Sequence, residues 1–283
     1  MTRRTGPERR AIPLTKRSVL VLALASLAGL VMFLWPLLVQ PGSATQRVDQ
    51  PFIFMALLPV VALVVLAELS EGGIDSKALA MLGVLTAINA ALRTVGAGTA
   101  GVETVFFLLI LAGRVFGPGF GFAMGCTSIF ASALLTTGVG PWLPFQMMCA
   151  AWIGMLAGLL PRRVTGRAEI VMLAVFGVLA AYGFGLLMNL SSWPFQLGIA
   201  IPGAADTVQM VPGDSIGDNL HRFVMFCLFT SVWGWDTARA ISNAVLIVVL
   251  GPAILTTLRR AARRARYGRL PTISAPPLER NPS

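Results

Sequence analysis

Long unbroken apolar runs, separated by short polar stretches, organise this chain. They fall near residues 18–39, 52–69, 77–93, 102–115, 118–136, 142–160, 169–190 and 237–258. Runs of about 20 apolar residues are long enough to cross a bilayer as helices. The pattern therefore predicts an all-α protein: a polytopic membrane helical bundle of about eight spans. One further apolar segment, 222–233, is too short to span with ease and reads as an interfacial or re-entrant piece. The run at 18–39 could also be a signal sequence ending near Ala44. Its apolar length exceeds that of a typical signal, so it reads as a retained helix.

Charge then orients the bundle. Arg3, Arg4, Arg9, Arg10, Lys16 and Arg17 precede the first run, Arg162, Arg163 and Arg167 fill one loop, and "RRAARRAR" follows the last run. Asp206, Asp214 and Asp218 lie in the 191–221 loop instead. Basic loops stay cytoplasmic, so an eight-span chain keeps both termini in the cytoplasm of the cell that it bounds. The same rule accounts for the formal net charge of +10 without a nucleic-acid partner. The chain divides into a basic N-terminus with two additional helices (1–76), a membrane core (77–258) with a loop or re-entrant segment at 191–236, and a basic tail (259–283).

Composition removes several chemistries. Of 283 residues 56% are apolar and 12% charged, with a single histidine, and mean hydropathy is +0.78. Cys126, Cys149 and Cys227 lack metal-site spacing. Neither Lys16 nor Lys77 sits in a phosphate-cradling glycine motif, and no hydrolase signature is present, so no cofactor is expected. The glycines of "GRVFGPGFGFAMG" (113–125) read as a tight helix–turn–helix with close packing, with Arg114 anchoring a cytoplasmic helix end.

Polar residues inside apolar runs mark the candidate sites. In "WGWDTARAISN" Asp236, Arg239 and Asn243 share one helical stripe, beside Trp235. Such groups face protein or water rather than lipid, as a structural ion pair or as the wall of a ligand site. In "LTAINAALR" Thr86, Asn89 and Arg93 share a face. Gly83, Ala87 and Ala91 share another, the small-residue pattern that lets a neighbouring helix approach, from this bundle or from a partner. Two similar stretches, "GPWLPFQ" and "SSWPFQ", put Trp142, Gln146, Trp193 and Gln196 at apolar-run edges; Asn189 lies close by. Each Trp alone fits an aromatic belt. Together they raise a shared outer pocket with aromatic walls. Glu103 either pairs with Arg93 or meets a ligand.

The elements "LTAINAALR", "AGRVFGPGFGFAMGCTSIFASALL", "GPWLPFQMMCAAWIGMLAGLLPRR" and "GWDTARAISNAVLIVVLGPAILTTLRRAARR" resemble substrate-binding S components of energy-coupling factor (ECF) transporters, of actinobacterial type. The resemblance implies a six-helix core that captures a vitamin or related micronutrient. It also implies a transmembrane T component and two ABC ATPase subunits as partners, with Ala87 and Ala91 in the docking motif. The two helices before residue 76 depart from the six-helix pattern. Cobalamin or a related corrinoid is the favoured cargo among such components. An integral membrane enzyme acting on lipid or isoprenoid, and a scaffold that binds nothing, stand as alternatives.

Overall fold

The computed structural model describes residues 16–38, 76–96, 102–193, 208–211 and 213–267. The expected span at 52–69, residues 1–15 and 268–283 of the tails, and Gln196 lie outside these residues. Among the described residues the fold is all helical: α1 (Lys16–Leu38), α2 (Ser76–Gly96), α3 (Val105–Phe116), α4 (Pro118–Leu135), α5 (Leu143–Leu159), α6 (Arg167–Ser192), α7 (Ile216–Cys227), a π-helical segment (Leu228–Asp236) and α8 (Thr237–Tyr267). Helices α1 to α6 follow the apolar runs to within a few residues, and α8 extends nine residues beyond the run at 237–258. Pro118–Leu135, Arg167–Ser192 and the run Ile216–Arg264 are long and apolar enough to cross a membrane by length and composition.

Short α3 is the centre of the bundle. All twelve of its residues are buried, and α2, α4, α5, α6 and α8 all pack against it. "VFFLLILAGRVF" is apolar on every side until Arg114, the composition expected of a helix with no lipid-facing surface. Gly117 alone joins α3 to α4. Its φ of 111° lies in the region glycine tolerates, and Pro118 then starts α4 with its missing N–H at a position that needs none.

Glycines set the closest contact, between α4 and α5. A Cβ on Gly121 would lie 2.2 Å from the carbonyl oxygen of Gly154, and one on Gly113 would meet that same oxygen at 2.2 Å. Only glycine allows three backbones to meet in this way, as in membrane helix pairs generally. The close-packing reading of residues 113–125 holds.

Helix α1 packs against α5 and α6. Gly29 lies under Met148 and Trp152. The Trp152 indole donates to Ser26 Oγ at 3.1 Å, and Phe33 is fully buried beside Phe145 and Trp152.

The segment 222–233 corrects the sequence reading. It is no re-entrant loop: residues 216–267 are helical throughout, with no turn at which the chain reverses. Ser215 starts this run by accepting the Asp218 N–H at 3.1 Å and donating to its carboxylate at 2.7 Å. At 1.5 Å per residue, 49 helical residues are far longer than a hydrocarbon core of about 30 Å. The run therefore continues past one face of the membrane or both.

Candidate functional site

Two polar groupings occupy opposite ends of α3. At its C-terminal end Arg114 donates from Nε to Glu169 at 2.7 Å, and its other nitrogens reach the carbonyls of Leu160 and Val164. Arg259 reaches both oxygens of Glu169 at 2.8 Å. Arg114 is thus a buried staple joining α3, α6, α8 and the 160–166 turn. Sequence spacing gave no sign of Glu169, which pairs with an arginine 55 residues before it and another 90 after it.

At the N-terminal end Glu103 pairs with Arg239. Arg239 also donates to Asp236 Oδ1 at 2.7 Å, and its guanidinium lies 4.8 Å from the centre of the Phe184 ring, a cation–π distance. The other Asp236 oxygen accepts from Ser231 Oγ at 2.7 Å. Ser231 in turn accepts from Asn189 at 2.7 Å. Asn243, one turn beyond Arg239, donates to the carbonyls of Arg239 and Glu103 at 2.8 and 3.3 Å. Asp236 is only 2% exposed, so an apolar surrounding has been offset by a full set of partners.

A third grouping adjoins this one. Thr104 Oγ1 donates to the Leu92 carbonyl at 2.6 Å, which brings Glu103 and Arg93 close. Arg93 donates to Ser132 at 2.7 Å and to Gln146 at 2.9 Å. Asn89 donates to Ser128 at 3.0 Å, and Thr86 bonds Thr127 at 2.8 Å. These three rungs fasten one face of α2 to α4. Gly83, Ala87 and Ala91 face away from α4 and are exposed; nothing lies within 4 Å of a Cβ built on Gly83.

A hollow of about 290 Å³ opens beside Asp236 and Arg239. Phe184, Phe226 and Trp235 form aromatic walls, Met188 an apolar one, and Asn189, Thr230 and Ser231 add polar atoms. Gly185 makes the approach possible: a Cβ there would lie 2.0 Å from Asp236 Oδ1. Among the described residues, Asn189 Oδ1, Trp235 Nε1 and the second terminal nitrogen of Arg239 make no hydrogen bond. They offer an acceptor and two donors beside apolar ring faces.

The predicted residues thus divide. Asn189, Trp235, Asp236 and Arg239 line the hollow. Asn89, Arg93, Gln146 and Asn243 stand behind it in the adjoining networks. Trp142 and Trp193 do not join them, which corrects the shared aromatic pocket. Trp142 is half exposed and bonds its own turn at Gly138. Trp193 is buried, bonded to the Val208 carbonyl at 2.8 Å and packed on Phe223; it is core for the start of the long helix. Phe184, Gly185, Phe226, Thr230 and Ser231 were missed. Helical spacing marked none of them.

Among the described residues, an apolar helical bundle with a semi-polar hollow defines a membrane-embedded protein with room for a small solute. The family model described as "ECF transporter, substrate-specific component" matches residues 77–262. The chain belongs to that family of multi-pass transport subunits, which work with T and ATPase subunits and are not enzymes. The match excludes α1. No curated protein matches, and no solved structure matches.

Proposed function

We propose that the hollow between α6, the π segment and α8 captures a small vitamin-like molecule from outside the cell for ATP-driven import. The observation that carries this reading is the unspent hydrogen-bonding capacity of Asn189, Trp235 and Arg239 among the aromatic side chains. A planar heteroaromatic cargo uses both features: its ring packs on Trp235 and Phe184, and its polar edge pairs with the free donors and acceptor. About 290 Å³ is at the lower edge of ligand sites. It favours a cargo of one or two rings over a corrinoid macrocycle.

The orientation follows from charge. Arg114, Arg259 and the arginines after them mark the cytoplasmic end, so the hollow at the other end of α3 opens outward. The exposed Gly83–Ala87–Ala91 face of α2 is the docking surface for the T component, with two ATPases beyond it.

The test is identification of the small molecule that co-purifies with the full chain. Protein purified in mild detergent is extracted and the extract read by mass spectrometry, beside a D236A/R239A double variant. An aromatic small molecule in the first sample and not the second is expected. Identical extracts from the two proteins would refute capture at this site.

A further inference from the structure

The long C-terminal helical run contains a contact that ordinary α-helical winding cannot make. Over Leu228–Asp236 the helix is π-wound: the N–H of Thr237 reaches the Val232 carbonyl five residues back, and Thr237 Oγ1 donates to that carbonyl at 2.6 Å. Within this stretch the Ser231-to-Asp236 hydrogen bond, 2.7 Å, also joins residues five apart. At 100° per residue, an α-helix would put such residues about 140° apart around the axis, beyond a serine's reach. The wider π turn stacks them on one face.

From this geometry we infer that Ser231 is a positioning residue for the capture site, and that π winding of 228–236 is its cargo-holding register. Return to α winding separates Ser231 from Asp236 and takes Thr230 off the wall of the hollow, which releases the cargo. The inference rests on the capture reading above and adds how the site is switched. π turns are uncommon and concentrate at functional sites. Little packing opposes the rewinding on the outside of the helix: Phe229 and Trp233 are exposed, and Gly234 has open space around it. What holds the π turn is on the inside, where Ser231 donates to Asp236 and accepts from Asn189.

A disulfide reporter distinguishes the two windings. In F229C/G234C the new cysteines are five apart, with Cα atoms about 6 Å from each other in a π turn and about 8.7 Å in an α-helix. Only the first can be bridged without backbone movement. The chain's own Cys126, Cys149 and Cys227 are buried. In the full chain in detergent, under mild oxidation, the pair is expected to close. Adding S231A should slow closure and lower the fraction of protein that retains its co-purified adduct in native mass spectrometry. Each effect should be about tenfold, the loss of one hydrogen bond to a carboxylate. S231T, which keeps the hydroxyl, should restore both.

Failure of F229C/G234C to close beside an intact Ser231 would overturn the π register. Closure and adduct unchanged in S231A would overturn the role of Ser231. Cross-linking involves no cargo. Wild-type protein that carries no adduct would therefore defeat the capture reading, while the closure rates still decide the register.

Discussion

Gly185→Ala is the sharpest single test of the site, because the structure fixes what one methyl group does. The added Cβ would lie 2.0 Å from Asp236 Oδ1 and 2.3 Å from its Cγ and Oδ2, against 3.4 Å for ordinary contact. Asp236 or α6 must give by about 1.4 Å. The carboxylate now bonds Arg239 and Ser231 at 2.7 Å each. A shift of that size takes both beyond hydrogen-bond range. Two hydrogen bonds to a charged group contribute about 3 kcal/mol together at the low end of their range, or about a hundredfold in affinity. The assay is native mass spectrometry of the full chain, scoring the fraction that retains its co-purified small molecule, with a thermal melt alongside. Gly183→Ala is the control. It lies two residues away on the same helix, with nothing within 4 Å of a new Cβ. Replacing glycine inside a helix ordinarily stabilises it by about 1 kcal/mol. The control should therefore melt slightly higher with its adduct intact, while Gly185→Ala melts lower and loses its adduct. Equal behaviour of the two variants would refute the assigned role of the Asp236 seat.

Three further outcomes follow from the same geometry. Replacing Ala87 and Ala91 together by Trp should abolish uptake in cells while the purified protein keeps its adduct, because their exposed face is not part of the hollow; uptake at the wild-type rate would refute docking there. Glu169→Gln leaves Arg114 and Arg259 buried or half-buried without a counter-charge, which should cost about 3–5 kcal/mol in a thermal or denaturant melt, with adduct retention unchanged in the folded fraction. Trp193→Phe removes one buried hydrogen bond, to Val208, and should cost about 1 kcal/mol in the same melt with no loss of adduct; adduct loss would return Trp193 to the binding site.

The apolar runs showed the helices because a lipid-exposed helix must be apolar along its length, and this leaves a strong mark in one dimension. Asp236, Arg239 and Asn243 were conspicuous for the same reason, as charged or amide groups where hydrocarbon is expected. Partnerships were harder to read. Glu103 was matched with Arg93 or a ligand, and its partner is Arg239, 136 residues along the chain. Helical spacing orders residues within one helix and says nothing about which helices become neighbours. The two Trp-Pro-Phe-Gln echoes misled for a related reason: likeness in sequence placed Trp142 on a half-exposed turn and Trp193 in a buried cluster. The π turn was invisible to a 3.6-residue period, and 222–233, too short to span alone, was read as an interfacial or re-entrant piece when it lies within one long helical run whose winding changes at Leu228–Asp236.

What separates the proposed capture site from a staple in this bundle is how far each polar group is satisfied. Both ends of α3 hold acids and arginines in apolar surroundings. At Glu169, however, the two carboxylate oxygens take three bonds between them, and Arg114 spends Nε and both terminal nitrogens. Nothing is left over for a guest, and helix and turn are fixed in place. At Asp236 each carboxylate oxygen has one partner, and the groups around it are not fully spent. Arg239 keeps a free donor and Asn189 a free acceptor, both at the edge of open space walled by Phe184 and Trp235. A guest that pairs with them binds best to the arrangement that holds Asp236 between Gly185 and Ser231. The staple end is therefore where substitution should change stability alone. The Asp236 end is where it should change stability and occupancy together.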